Sequence, residues 1–407
     1  MIGEAASGHR RVATLVLLAC VFVMEGYDIA AMALAVPRLE GPLGIPPTSF
    51  GWVFSALLIG LGLGGALIAP LGDRVGRRPL IAFGCLAVAV ATLATATATS
   101  IPEFLAWRFI TGVAFGACLP NVSALSAEIA PPQMRATIMA TVSAGIPLGI
   151  AIAGIFAPEV VAIGGWQGLF IVPGLAAAAI ALSLGYLLKS GAPETFTRAH
   201  GSRLPQLDLL RMPWLLPFGV SAVILSLNAM NLYYFNSWLP TVLPLAEFTI
   251  DEAARVSGIV QLAGIVFGIA VSLAVDRWRP TPTLIALFAA MTLSFVAIGV
   301  IAPDPLRWRL LLMVGVGGAS AGAMVLPALC AYLFPPYLLS SAVGLGVLVA
   351  RIGAVAGPPV GEAMLNAGVS AQTFLVCGAI PAALCAVACL ALPAALRVRP
   401  RLEASAG

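Results

Sequence analysis

Charge is what this sequence has least of. Only 9% of its 407 residues are Asp, Glu, Lys or Arg, where soluble domains carry about 25%. Hydrophobic residues make up 60% of the chain, and mean hydropathy is +1.03. These values exclude an ordinary soluble domain. With apolar runs of roughly 20 residues repeated along the chain, they define a polytopic helical membrane protein. Histidine is nearly missing: His9 and His200 both fall outside the apolar runs, which excludes a buried histidine relay. No two of the seven cysteines have C-x-x-C spacing, so a cysteine metal site is not expected and the thiols read as small packing groups. There is no phosphate-binding glycine loop and no lipidation motif. The first apolar run is too long to read as a cleaved signal peptide. No covalent chemistry, enzyme activity, metal, cofactor or nucleic-acid partner is implied.

Polar, proline and glycine breaks divide the chain into twelve predicted helices, near 12–36, 50–71, 79–99, 102–128, 137–160, 166–188, 214–240, 254–275, 282–302, 307–333, 339–366 and 371–396. An even number places both termini on one side of the bilayer. Basic residues concentrate in cytoplasmic loops. With the N-terminus inside, fifteen of the 21 Lys and Arg residues lie in inside loops and tails and four lie outside. Arg108 and Arg351 fall within helices. Both ends are therefore expected in the cytoplasm, in a bacterial-type inner membrane.

The two halves repeat. Pro37 and Pro240, expected to end the first and seventh helices, are 203 residues apart, and so are Asp73 and Asp276. Pro131-Pro132 and Pro335-Pro336 are 204 apart, and Gln167 and Gln372 are 205 apart. A near-constant offset over most of the chain indicates two parallel six-helix repeats, an arrangement that transporters use with the substrate site near the midplane. The expected fold is all-α and integral to the membrane, with twelve helices in two pseudo-symmetric six-helix bundles. Residues 1–188 form the first bundle, 189–213 a cytoplasmic linker and 214–407 the second bundle. A monomer in the lipid bilayer is expected.

Ionisable groups inside apolar runs are costly and mark function by default. Glu25 and Asp28 are three residues apart in the first helix, on roughly one face. Arg351 lies in the eleventh. At ~1.5 Å of rise per residue, Glu25 is ~20 Å and Arg351 ~18 Å from the cytoplasmic end of its helix, so both reach middle depth. Burial disfavours a carboxylate's charge and a nearby arginine favours it. An acid that alternates between these environments can load and release a proton. Static ion pairing is the competing reading for both acids and for Arg351. Arg108, near the outer end of the fourth helix, either snorkels to the interface or serves the cavity. Tyr27, Tyr233, Tyr234, Phe235, Asn236 and Trp238 are candidates for an aromatic pocket, although Tyr and Trp also mark membrane interfaces. Asn121 and Gln261 serve either a ligand or helix–helix hydrogen bonding.

Gly72-Asp73-Arg74-Val75-Gly76-Arg77-Arg78, after the second helix, resembles the G-x-x-x-D-R-x-G-R-R signature of the major facilitator superfamily, with Ala69 in place of the first glycine. Arg108-Phe109-Ile110-Thr111-Gly112 resembles that superfamily's R-x-x-x-G motif. A narrower resemblance is to the aromatic acid:proton symporter family (4-hydroxybenzoate- and benzoate-type transporters). Glu25-Gly26-Tyr27-Asp28 is similar to its D-G-[YF]-D motif, with Glu replacing the first Asp. Asn231 to Thr241 is similar to its N-L-x-Y-F-x-x-x-W-L-P-T stretch, and Gln261-Leu262-Ala263-Gly264 and Arg351-Ile352-Gly353-Ala354 complete the set. Leu339 to Gly344 lacks the family's arginine.

The resemblance implies proton-coupled uptake of a small aromatic carboxylate by alternating access. For proton coupling the candidates are Asp28 and Glu25, from the burial argument above, and Arg108, which the resemblance supports. Read with the helix depths and polar positions above, the candidates for substrate are Arg351, Tyr27, Asn121, Tyr234, Asn236, Trp238 and Gln261. Gly72, Asp73, Arg74, Gly76, Arg77, Arg78 and Glu128 form a gating latch, with Asp276 and Arg277 as its counterpart in the second half. Symport of another small organic anion, drug:proton antiport, and a receptor or channel are the alternatives.

Overall fold

A backbone in hydrocarbon must satisfy its own hydrogen bonds, so long apolar runs become helices. The computed structural model describes residues 2–131, 135–188, 209–302 and 304–398. Among the described residues there is no strand, and twelve helices are long and apolar enough to cross a membrane. They are α1 (Val12–Arg38), α2 (Pro47–Val75), α3 (Arg77–Thr95), α4 (Ile101–Ile129), α5 (Thr141–Gly164), α6 (Gly168–Tyr186), α7 (Leu215–Ala246), α8 (Ile250–Arg277), α9 (Pro280–Val300), α10 (Pro305–Leu333), α11 (Ser341–Asn366) and α12 (Ala371–Cys389).

Pro240 and the last helix depart from expectation. Pro240 does not end α7, whose helical turns run through it to Val242 before a 3-10 turn at Leu243–Ala246. A proline in the last turn removes a single helical hydrogen bond, and the helix tolerates that. The last helix, expected to be continuous over 371–396, is instead built from Ala371–Val376, Ala379–Cys389 and Leu392–Leu396.

The chain forms two compact units, residues 1–197 with 250–258, and residues 198–249 with 259–407. Most of the expected linker, at 189–208, lies outside the described residues. The start of α8 belongs to the first unit. There Gly258 lies against Gly154 of α5, where a Cβ on either would crowd the other's helix backbone. Arg255 also pairs with Glu159 at 2.7 Å, and Asp251 with Arg38 at 2.7 Å.

In the first unit, glycines set how closely helices approach. A Cβ at Gly26 would overlap the Ile146 carbonyl of α5, and one at Gly112 the Leu57 carbonyl of α2. Gly26, between the two acids of α1, is thus a packing position for α5. The apolar core of this unit includes Val21, Phe22, Val88 and Phe115. Cys85 and Cys118 sit in it as free thiols with their Sγ atoms 3.8 Å apart.

In the second unit, Gly353, Gly357 and Gly361 form one row along α11. They meet the Ser226 carbonyl, the Met230 carbonyl and the Trp238 indole of α7. Spacing of four residues keeps all three on one helix face. Behind α7, Tyr234 stacks on Phe374 at 4.5 Å between ring centres, and Phe235 stacks on Phe295 at 4.8 Å.

Candidate functional site

The first unit holds a buried ion pair. Asp28 of α1 and Arg108 of α4 are each 1% exposed. Arg108 Nη1 donates to Asp28 Oδ2 at 2.7 Å, and Nη2 donates to the Asp28 backbone carbonyl at 2.9 Å. Thr92 Oγ1 of α3 donates to the other carboxylate oxygen at 3.2 Å. Both oxygens are therefore occupied, and the guanidinium fork fixes α1 to α4. Arg108 does not snorkel. Its Nε has no acceptor among the described residues. Thr92 escaped the sequence reading, because a lone threonine in an apolar helix carries no spacing signal. Glu25 is equally buried, at 2% exposure, and Tyr27 lies at 7% with its hydroxyl unpaired among the described residues.

The second unit carries a polar face on α7. Residues 233 and 236 are one turn apart, whereas 234 and 238 point the other way. Tyr234 and Trp238 are accordingly buried. The Tyr234 hydroxyl donates to the Phe374 carbonyl at 3.0 Å, and Trp238 Nε1 to the Pro358 carbonyl at 2.8 Å. Both polar ends are spent inside the bundle. Tyr233 and Asn236 are only half-buried. Arg351 of α11, also half-buried, reaches the Tyr233 hydroxyl from Nη1 at 3.4 Å. Among the described residues of its own unit, no carboxylate lies within ion-pair distance of Arg351. Gln261 Nε2 of α8 donates to Asn236 Oδ1 at 2.7 Å, and Ser320 Oγ of α10 donates to Gln261 Oε1 at 2.9 Å. Ser320 was also missed, for the same reason as Thr92.

The Gly72–Arg78 segment, where α2 ends and α3 begins, is held by side chains of the first unit. Arg77 donates from Nη2 to Asp73 Oδ1 at 3.1 Å and from Nη1 to Glu128 at the end of α4. Asn121 donates to the carbonyls of Ala69 and Ala117 at 3.0 and 2.9 Å, and its Oδ1 lies where a Cβ on Gly72 would stand. The structure thus places Asn121 at the root of the segment, with its amide protons engaged by backbone. Gly76 adopts φ +97°, a conformation that side chains resist. Arg74 is exposed and Arg78 half-buried. In the second unit, Asp276 accepts from the Tyr332 hydroxyl at 2.8 Å, and Arg277 is exposed.

The chain is a multi-pass helical membrane protein with charged groups sequestered inside its helices, and the comparisons give its family. Residues 18–358 match the model of the Major Facilitator Superfamily, and the chain belongs to that family, whose members are transporters and not enzymes. It is 28% identical to a 4-hydroxybenzoate transporter of Pseudomonas aeruginosa, over 92% of this chain and 91% of that one. It is 30% identical to a 3-(3-hydroxy-phenyl)propionate transporter of Escherichia coli, over 89% of each. Among solved structures, a bacterial homologue of the human lysosomal transporter Spinster superposes with a TM-score of 0.76 at 16% identity, covering 95% of this chain and 97% of that one. The relatives are aromatic acid transporters, as the helix motifs implied, and the fold is the major facilitator fold.

Proposed function

We propose that this protein takes up a small aromatic carboxylate together with a proton, by alternating access of its two units. One observation carries the reading: Arg351 is a half-buried guanidinium within a transmembrane helix, and no carboxylate of its own unit neutralises it among the described residues. A planar fork of N–H donors matches a carboxylate bidentately. Tyr233 and Asn236 share its face, and a ring can lie against the phenol. Tyr234 and Trp238 shape that wall from behind. The kinship to transporters of hydroxylated aromatic acids supports the same class of substrate.

The Asp28–Arg108 pair is the proton-coupling element of this proposal. A carboxylate held by an arginine inside a dry bundle changes its proton affinity when the pair opens or is hydrated. Glu25 lies one turn away as its partner. The Asp73–Arg77–Glu128 cluster is the latch, closing on one side of the membrane. The excess of arginine in alternate loops supports an inner-membrane protein with both termini in the cytoplasm.

Proteoliposomes loaded at high internal pH and diluted into acidic buffer test the proposal. Radiolabelled benzoate and its 3- and 4-hydroxy derivatives should accumulate, and Arg351→Ala should abolish uptake. Failure of every such acid to accumulate, with Arg351→Ala indistinguishable from the parent, would falsify the reading.

A further inference from the structure

We infer that Ser320, Gln261 and Asn236 form a directional hydrogen-bond relay that presents amide N–H donors to the transported ring, selecting acids whose ring bears a hydrogen-bond acceptor. The inference rests on the aromatic-carboxylate reading above and adds what the far end of the substrate must offer.

Direction begins at Ser320. Its hydroxyl has one proton, and it goes to Gln261 Oε1 at 2.9 Å. The Gln261 carboxamide lies with its NH2 group toward α7, where Nε2 donates to Asn236 Oδ1 at 2.7 Å. With Oδ1 engaged by Gln261, the part of the Asn236 side chain left without a partner among the described residues is its NH2 group. An amide free to flip would accept or donate equally well. In this arrangement the NH2 group is the end presented, and the two groups behind it are themselves buried, Gln261 at 2% and Ser320 at 4% exposure.

The packing that fixes the relay is specific. Gly264, one turn along α8 from Gln261, lies against Ser320, and a Cβ there would stand 2.6 Å from Ser320 Cβ. Gly317, one turn before Ser320, lies against the backbone of Gly264 in the same way. The two glycines bring α8 and α10 together and hold the hydroxyl against Gln261. The free end of the relay is half-buried on the face of α7 that also carries Tyr233, the partner of Arg351. Three residues of helix rise separate Tyr233 and Asn236 by about 4.5 Å along the axis. A carboxylate at Arg351 and a ring substituent at Asn236 are thus served from neighbouring turns. A substituent that cannot accept leaves a desolvated donor unpaired, and sites built that way discriminate strongly against the analogue that lacks the partner atom.

Calorimetric titration of the purified full-length transporter tests this with matched acids. Methoxybenzoate and ethylbenzoate carry substituents of similar size that differ in acceptor capacity, and each is taken with its substituent at position 3 and at position 4. The parent should bind the methoxy acid at least tenfold tighter than the ethyl acid at one of these positions. Asn236→Leu should bring that ratio to about one. Ser320→Ala, which frees the Gln261 amide to turn over, should lower it several-fold. The ratio is the readout because a merely structural loss weakens both acids together. A parent ratio near one at both positions overturns the relay while leaving aromatic-acid binding intact, and it needs no variant to fold. If none of the acids binds, the aromatic-carboxylate reading fails and the relay with it.

Discussion

Asp28 and Arg108 behave differently from Arg351 at the level of single residues, and the difference is measurable. The first pair is fully buried and joined by a direct ion pair. Removing one member leaves an uncompensated charge in a dry bundle, at a cost of about 3–5 kcal/mol. Asp28→Ala and Arg108→Ala should each lower the melting temperature of the purified protein markedly. The double variant should recover a large part of that loss while remaining unable to accumulate substrate. A double variant no more stable than either single one would show that the pair does not act as a unit. Arg351 has no ion-pair partner in its unit among the described residues, so Arg351→Ala should change stability by no more than ~1 kcal/mol even though it abolishes uptake. The position of the arginine in the chain distinguishes neither case. What faces it does.

At the scale of elements, the row of glycines on α11 decides where Arg351 can point. Gly357→Val would drive a side chain into the Met230 carbonyl and the Tyr234 backbone, neither of which can yield without parting α7 from α11. That variant should fail to yield folded transporter, as judged by size-exclusion chromatography. Gly344, on the same helix, has no described neighbour within 4 Å of where a Cβ would stand. Gly344→Ala should be neutral or raise stability by up to ~1 kcal/mol, through helix propensity. At Gly76, between α2 and α3, the constraint is backbone conformation. Gly76→Ala should cost on the order of 1–3 kcal/mol because φ +97° strains any Cβ. It should also loosen the Asp73–Arg77–Glu128 cluster, measurable as faster labelling of a cysteine placed at exposed Val75.

At the scale of the whole molecule, the proposed coupling sets a ceiling. Each proton that moves with the anion down a gradient of one pH unit contributes about 1.36 kcal/mol, or about tenfold in accumulation. Steady-state uptake in proteoliposomes should follow that slope and collapse when a protonophore is added. Accumulation that is indifferent to the pH gradient would leave the family and fold standing and remove the proton.

The sequence by itself determined the class. Scarce charge, twelve apolar runs and a repeat offset near 203 residues state a two-part helical membrane protein, because the bilayer leaves the backbone no other spanning solution than helices or a closed barrel. The motif around Asp73 and the acids of α1 were legible because charge in apolar sequence is costly and therefore conspicuous. Pairing was not legible. Asp28 could have faced any of several helices, and only the packing of α1, α3 and α4 within the first unit brings it to Arg108 and Thr92. Tyr233 and Tyr234 are neighbours in the chain, yet about 100° of helical rotation sends one to Arg351 and the other into the core. Helix periodicity predicts that they diverge. Which of them meets the arginine depends on the glycine face of α11, and that is a property of three-dimensional packing alone.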